Sequence, residues 1–258
     1  MTQEFLTRLI ADIESEFSQI GYVRNHRPDW PSDAINMADD LVATVVLVGG
    51  ESDIANLHRA FWFDIGKRSL NRYEISGRIS LISCDVADLW NRLPGPAQLE
   101  WNFKARIAGT VDEVSFNDPG FLGVMGVVVS SDETYPAHIA GKLRDVVSVR
   151  SEEWFDERAD FNSLLAVVSR REKVKGKFAR WNISPVPIRT ALMLGVVNGE
   201  YRSVSRTIRW YSGRPVGMNT LDSVRRVMAL NEFFIEESSG YKDYCIRNPF
   251  RRRLFARS

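Results

Sequence analysis

The chain has few of the residues that build metal centres and disulfide frameworks. Its 258 residues include two cysteines, Cys84 and Cys245, and three histidines. One pair of cysteines does not make a disulfide framework, and no histidine lies at metal-ligand spacing from another histidine or a cysteine. We therefore expect free thiols in a reducing compartment, no metal centre and no cofactor.

Long apolar runs and targeting signals are also missing. The longest strongly apolar run, residues 41–48, is far shorter than the roughly 20 residues that span a bilayer. Residues 1–17 are amphipathic and acidic, whereas a secretory signal has a basic start followed by an apolar stretch. The sequence therefore predicts a cytoplasmic protein that does not associate with membranes.

The short motifs of common catalytic and phosphate-binding sites do not occur. Gly49-Gly50 has neither the spacing nor the lysine of a phosphate-binding loop, and residues 120–123 do not match a dinucleotide-binding fingerprint. The chain has no Gly-x-Ser-x-Gly nucleophile elbow. We therefore expect a non-enzymatic protein.

The composition is that of a folded globular protein. Hydrophobic residues make up 44% of the chain and charged residues 26%, which is ordinary for such a protein. We expect residues 1–258 to form one compact unit. The alternative is a subdivision into an acidic part, residues 1–150, and a basic part, residues 151–258.

Charge is distributed unevenly along the sequence. Residues 1–164 contain 15 Lys+Arg against 26 Asp+Glu, a difference of −11, and residues 165–258 contain 19 against 7, a difference of +12. Such asymmetry is typical of proteins that bind a polyanion or a charged partner. Because the change of sign falls inside a predicted helix, it favours differently charged faces over separate domains.

Helical periodicity occurs in several segments. Residues 2–19 repeat apolar side chains at helical spacing, and Asp85 can cap a short helix through residue 93. Ser151 followed by two glutamates predicts the N-terminus of another helix, with Trp154 and Arg158 on one side of that helix. A further helix is predicted from about residue 220 to 237.

Strand patterns and turn residues fill much of the remainder. Residues 41–48 and 72–83 favour strands, and residues 99–107, 111–116 and 121–129 predict an antiparallel meander. Asn198-Gly199 predicts a hairpin between residues 190–197 and 200–211. The predicted fold class is therefore α+β: a mainly antiparallel sheet, comprising the meander and the later hairpin, with an N-terminal helix and two further amphipathic helices.

Basic and aromatic residues alternate in the second part of the chain. If residues 173–181 form a strand, their cations share one face at a spacing of about 7 Å, close to the phosphate repeat of an extended single strand. The second strand of the hairpin adds cations beside an indole, and the C-terminal tail adds three arginines. We expect single-stranded RNA or DNA to bind these residues: Lys173, Lys175, Lys177, Arg180, Trp181, Arg202, Arg206, Arg209, Trp210, Arg251, Arg252 and Arg253.

Other interpretations of the same residues remain open. The basic residues can pair with the acidic part of the chain or bind an acidic protein surface, and the tail can be a solvated terminus. A multi-subunit assembly, or a viral or mobile-element scaffold held together by complementary charged faces, also fits. A magnesium-dependent nuclease would use Asp160 and Glu172, although their spacing from Lys173 and Lys175 departs from the usual pattern.

Overall fold

The computed structural model describes residues 2–25, 41–97, 109–119, 121–123, 126–130, 136–175, 186–212 and 221–249. Helices and strands follow one another in these ranges, with a short 3-10 helix at Gly95–Ala97. Their order is α1 (Thr2–Ser18), β1 (Val23–Arg24), β2 (Leu41–Glu51), β3 (His58–Ser69), β4 (Arg72–Ile82), α2 (Cys84–Asn91), β5 (Thr110–Ser115), β6 (Val127–Ser130), α3 (Pro136–Asp156), α4 (Phe161–Lys175), α5 (Val186–Val197), α6 (Tyr201–Ser212), α7 (Leu221–Glu237) and α8 (Ser239–Arg247).

Six strands of the described part of the chain form one antiparallel sheet. The strand order is β1-β2-β3-β4-β5, and β6 pairs with β4. β5 lies along residues 78–82 of β4, and β6 lies along residues 72–75 of the same strand. The predicted α+β class with an antiparallel sheet is confirmed. The predicted meander is wrong in one respect, because β5 and β6 share an edge of β4 instead of pairing with each other.

Helix α1 packs on the sheet as its periodicity predicts. Phe5, Leu9, Ile13 and Phe17 form its buried stripe, and the Phe17 ring lies 5.1 Å from the ring of Phe61 on β3. Burial of side chains of this size stabilises the fold by about 1.5–3 kcal/mol each. One continuous cluster of buried side chains extends from α1 to α8.

The predicted hairpin around Asn198-Gly199 is wrong, because this dipeptide connects helices α5 and α6. Gly199 has a φ of +77°, the left-handed conformation that ends many helices. The amide of Glu200 donates to the carbonyl of Gly195 at 2.8 Å, and the amide of Gly199 donates to Val196 at 3.3 Å. These two hydrogen bonds are those of a Schellman motif, so the residues that favour a hairpin turn here form a helix C-cap.

The helix predicted to begin at Ser151 starts elsewhere. Helix α3 continues through this position, where the Ser151 hydroxyl donates to the carbonyl of Ser148 at 2.8 Å. The break follows α3, and Asp160 caps the start of α4. A similar shift occurs at α2, whose N-cap is Ser83 and not Asp85. The helix predicted for residues 220–237 is confirmed as α7.

The strand predicted for residues 99–107 lies outside the described residues. In the described ranges, no helix combines the length and the apolar character that crossing a bilayer requires.

Candidate nucleic-acid interface

Helix α6 carries the predicted basic residues that the structure describes most fully. Its buried side is formed by Val204, Ser205, Ile208 and Tyr211, which recur at helical spacing. Its exposed side presents four of the predicted residues: Arg202, Arg206, Arg209 and Trp210. The structure therefore gathers these four side chains on one solvent-facing surface, which we call the α6 face.

The α6 face contains one exposed aromatic ring. Trp210 keeps 41% of its surface exposed, a large fraction for an indole side chain. Its ring packs edge-on against Tyr211, with the centroids 4.8 Å apart. This contact holds the indole at the end of the arginine row and leaves part of its surface open to solvent.

Helix α8, which the sequence interpretation missed, supports the α6 face from the side. Arg209 donates a hydrogen bond from Nη2 to the carbonyl of Asn248, the C-cap residue of α8. At the other end, the ring of Tyr201 lies 5.9 Å from that of Tyr241 and 6.4 Å from that of Tyr244. The two helices therefore run side by side in the same direction.

A buried polar group lies beneath this helix pair. The Tyr241 hydroxyl donates to Oδ1 of Asn231 on α7 at 2.9 Å. Burial, together with the neighbouring thiol of Cys245, raises the pKa of Tyr241, and burial also raises the pKa of Cys245. Both groups are therefore neutral at physiological pH and act as structural elements that hold α6, α7 and α8 together.

Two arginines of the α6 face, Arg202 and Arg206, differ from the arginines of residues 8–158 in their ion pairing with the described residues. Each ion pair between described residues takes its arginine from residues 8–158. Arg202 and Arg206 make no ion pair with the described residues. Among the described residues, no carboxylate of the acidic part therefore pairs with either of these two side chains.

The other predicted binding residues are less fully described. Lys173 and Lys175 belong to helix α4, so the alternation of faces expected of a strand does not apply to them. The remaining predicted residues lie outside the described ranges: Lys177, Arg180, Trp181, Arg251, Arg252 and Arg253.

Asp160, the first residue of the nuclease interpretation, serves as a helix cap. Its Oδ1 accepts hydrogen bonds from the amides of Asn162 at 2.9 Å and Ser163 at 3.1 Å. Hydrogen bonds from the Ser163 hydroxyl and amide lower the pKa of Asp160. The apolar run that follows is helical instead of a strand, and the described residues contain no cluster of three or more metal-binding side chains.

Comparison with known proteins gave no match to any protein-family model, curated protein or solved structure.

Proposed function

We propose that this chain binds single-stranded nucleic acid through the α6 face and acts as a non-enzymatic subunit of a larger assembly. One observation carries the proposal: Arg202 and Arg206 are exposed, lie one helical turn apart and form no ion pair with the described residues. An arginine that pairs with no carboxylate has its guanidinium group available for a phosphate. Phosphate contacts of this kind supply most of the affinity in sequence-independent binding.

The spacing along α6 supports an extended strand as the ligand. Arg202, Arg206 and Trp210 follow one another at intervals of four residues, which correspond to about 6 Å along a helix axis. This step is close to the distance between phosphates of an extended single strand. The two guanidinium groups can therefore contact successive phosphates while the strand continues towards the indole.

The exposed indole favours single strands over duplexes. An unpaired base offers a ring face on which Trp210 can stack, a contact worth about 1–3 kcal/mol per base. In a duplex the base faces are stacked on each other and are inaccessible to a side chain. The proposed ligand is therefore RNA or DNA with unpaired bases, bound with little dependence on sequence.

The test is a fluorescence-anisotropy titration with labelled single-stranded and double-stranded RNA and DNA. We expect the wild-type chain to prefer single strands and the Arg202→Ala/Arg206→Ala variant to bind them more weakly. The matched control is Arg8→Ala/Arg68→Ala, which removes the same charge from two exposed arginines outside α6. Equal loss of binding in both variants, or no binding by the wild type at low salt, would contradict the proposal.

A structural role in an assembly is the second candidate function. It is favoured by a specific feature of α3, whose outward face combines exposed valines with carboxylates. In this role the α6 face binds protein instead of nucleic acid, and chains associate through surfaces of opposite charge.

A further inference from the structure

Helix α3 exposes an apolar stripe of the kind that folded proteins usually bury. Its inner side packs Leu143, Val147 and Trp154 into the core. On the outer side, Val146 is 54% exposed and Val149 is 66% exposed. The apolar surface of these two neighbouring valines is removed from water only when a partner covers it.

Carboxylates surround these valines towards the C-terminal end of α3. Glu153 and Asp156 continue the valine stripe at helical spacing, and Glu152 and Glu157 flank it. Asp156 makes no ion pair in the described part of the chain. Glu153 pairs only with exposed Arg150, an interaction worth at most about 1 kcal/mol and readily exchanged for another partner. We call this surface of valines and carboxylates, residues 146–157, the α3 face.

We infer that the α3 face of one chain docks on the α6 face of a second copy of the same chain. Charge complementarity identifies the occupant, because the carboxylates of one surface match Arg202 and Arg206 of the other, which form no ion pair with the described residues. The apolar parts match as well, since the exposed valines can cover the open side of the Trp210 indole. Both faces are exposed within one chain, so the contact forms between copies.

The symmetry of this contact determines the assemblies that it produces. It joins two different surfaces, so a row of chains keeps one free α3 face at one end and one free α6 face at the other. Association therefore proceeds head to tail, and it continues as the concentration rises until a ring closes, or in open rows where the rotation between copies closes none. Nucleic acid competes for the α6 face, so its addition shortens the assemblies when the proposed function also holds.

Two variants with opposite defects test the contact by sedimentation velocity. Glu153→Arg/Asp156→Arg changes only the α3 face, and Arg202→Glu/Arg206→Glu changes only the α6 face. All four side chains are exposed, and circular dichroism and thermal unfolding verify that each variant is folded. At about 50 mM salt the wild type should form species that grow with concentration, and about 500 mM salt should dissociate them.

The charge reversals in the two variants are complementary to each other. Each variant should be monomeric alone, whereas an equimolar mixture should associate again, because every contact in the mixture then joins a basic face to an acidic face. A wild-type chain that stays monomeric up to about 1 mM at low salt overturns the inference; that range is needed because small interfaces are weak. A mixture that fails to associate also overturns it. Nucleic-acid binding by Glu153→Arg/Asp156→Arg is measured separately. This measurement reports on the α6 face alone, so a failure of this inference can be distinguished from a failure of the proposed function.

Discussion

Arg158 places its Nε 2.8 Å from Oδ2 of Asp112, and both side chains are almost completely buried, with 3% and 0% exposure. The pair connects the turn that follows α3 to strand β5. The same guanidinium donates to the carbonyl of Trp154 at 2.7 Å and lies over its indole ring at 3.8 Å from the centroid. The arginine that the sequence places on the apolar side of a helix therefore acts as a structural crosslink.

Loss of one member of this pair leaves a buried charge without its partner. We expect Arg158→Ala to destabilise the protein by about 3–5 kcal/mol, as broken buried ion pairs do. Urea unfolding measures the change in the free energy of unfolding. The control is Arg150→Ala, which breaks an exposed pair and should cost less than about 1 kcal/mol. Equal effects of the two substitutions on the free energy of unfolding would show that burial does not make the Arg158–Asp112 pair more important for stability than an exposed pair.

Gly195 lies where α5 packs closely against Phe161 and Val204. A Cβ at this position would lie 2.5 Å from Cζ of Phe161 and 2.6 Å from Cγ2 of Val204. We expect Gly195→Ala to cost about 1–3 kcal/mol through overpacking, even though alanine favours helices. Gly50→Ala is the comparison, because no heavy atom beyond its chain neighbours lies within 4 Å of a Cβ there. A stabilising effect of Gly195→Ala would contradict this packing.

The helices α5 and α6 show where the sequence interpretation failed. Helix α5 is buried on nearly every side, so its apolar run has no periodicity that separates a helix from a buried strand. Asn-Gly is favourable in hairpin turns and at helix C-caps because both need a positive φ. The helical signal was present in α6, where Val204, Ile208 and Tyr211 recur at helical spacing.

The basic surface was nevertheless predicted in part, for a geometric reason. Arg202, Arg206 and Trp210 are separated by four residues, and this spacing keeps side chains on one face in a strand and nearly so in a helix. Arg209 distinguishes the two, since a strand directs it to the opposite side whereas α6 places it beside the others. The regular patterns of α1, β2 and β4 predicted those elements, whereas the burial of Arg158 depends on tertiary contacts that no local pattern contains.

Asp160 provides a test that separates a cap from a metal ligand. Its side chain accepts amide hydrogen bonds at the start of α4, so Asp160→Ala should destabilise the protein by about 1 kcal/mol and Asp160→Asn by less. The lowered pKa means that the ionised cap contributes above the ordinary aspartate pKa, and that this contribution is lost as the pH falls. Thermal unfolding measures both effects. Mg²⁺-dependent cleavage of nucleic acid that disappears in Asp160→Ala would instead support the nuclease interpretation.

Tyr22 makes the fold sensitive to alkaline pH. Burial, followed by the nearby carboxylate of Glu152, raises the pKa of Tyr22 from 10.0 to about 12. The folded state therefore retains a proton that the unfolded chain loses. The contribution of Tyr22 to the free energy of unfolding is complete below pH 10.0 and is lost as the pH rises to about 12. Relative to Tyr22→Phe, the wild type should lose up to about 3 kcal/mol across that interval. Urea unfolding at several pH values measures the difference, and parallel curves for the two proteins would refute it.

Trp210 and the arginines beside it should affect nucleic-acid binding in different ways. Each lost phosphate contact lowers the slope of log affinity against log salt by about 0.7 for single strands, so Arg202→Ala/Arg206→Ala should reduce the slope by about 1.4. Trp210→Ala removes one stacked base and should weaken binding by about 1–3 kcal/mol while leaving the salt slope unchanged. Trp210→Phe should restore part of the affinity, because a phenyl ring also stacks on a base. Titrations at four or more salt concentrations separate the two effects, and a slope that falls in Trp210→Ala would mean that the indole only positions the arginines.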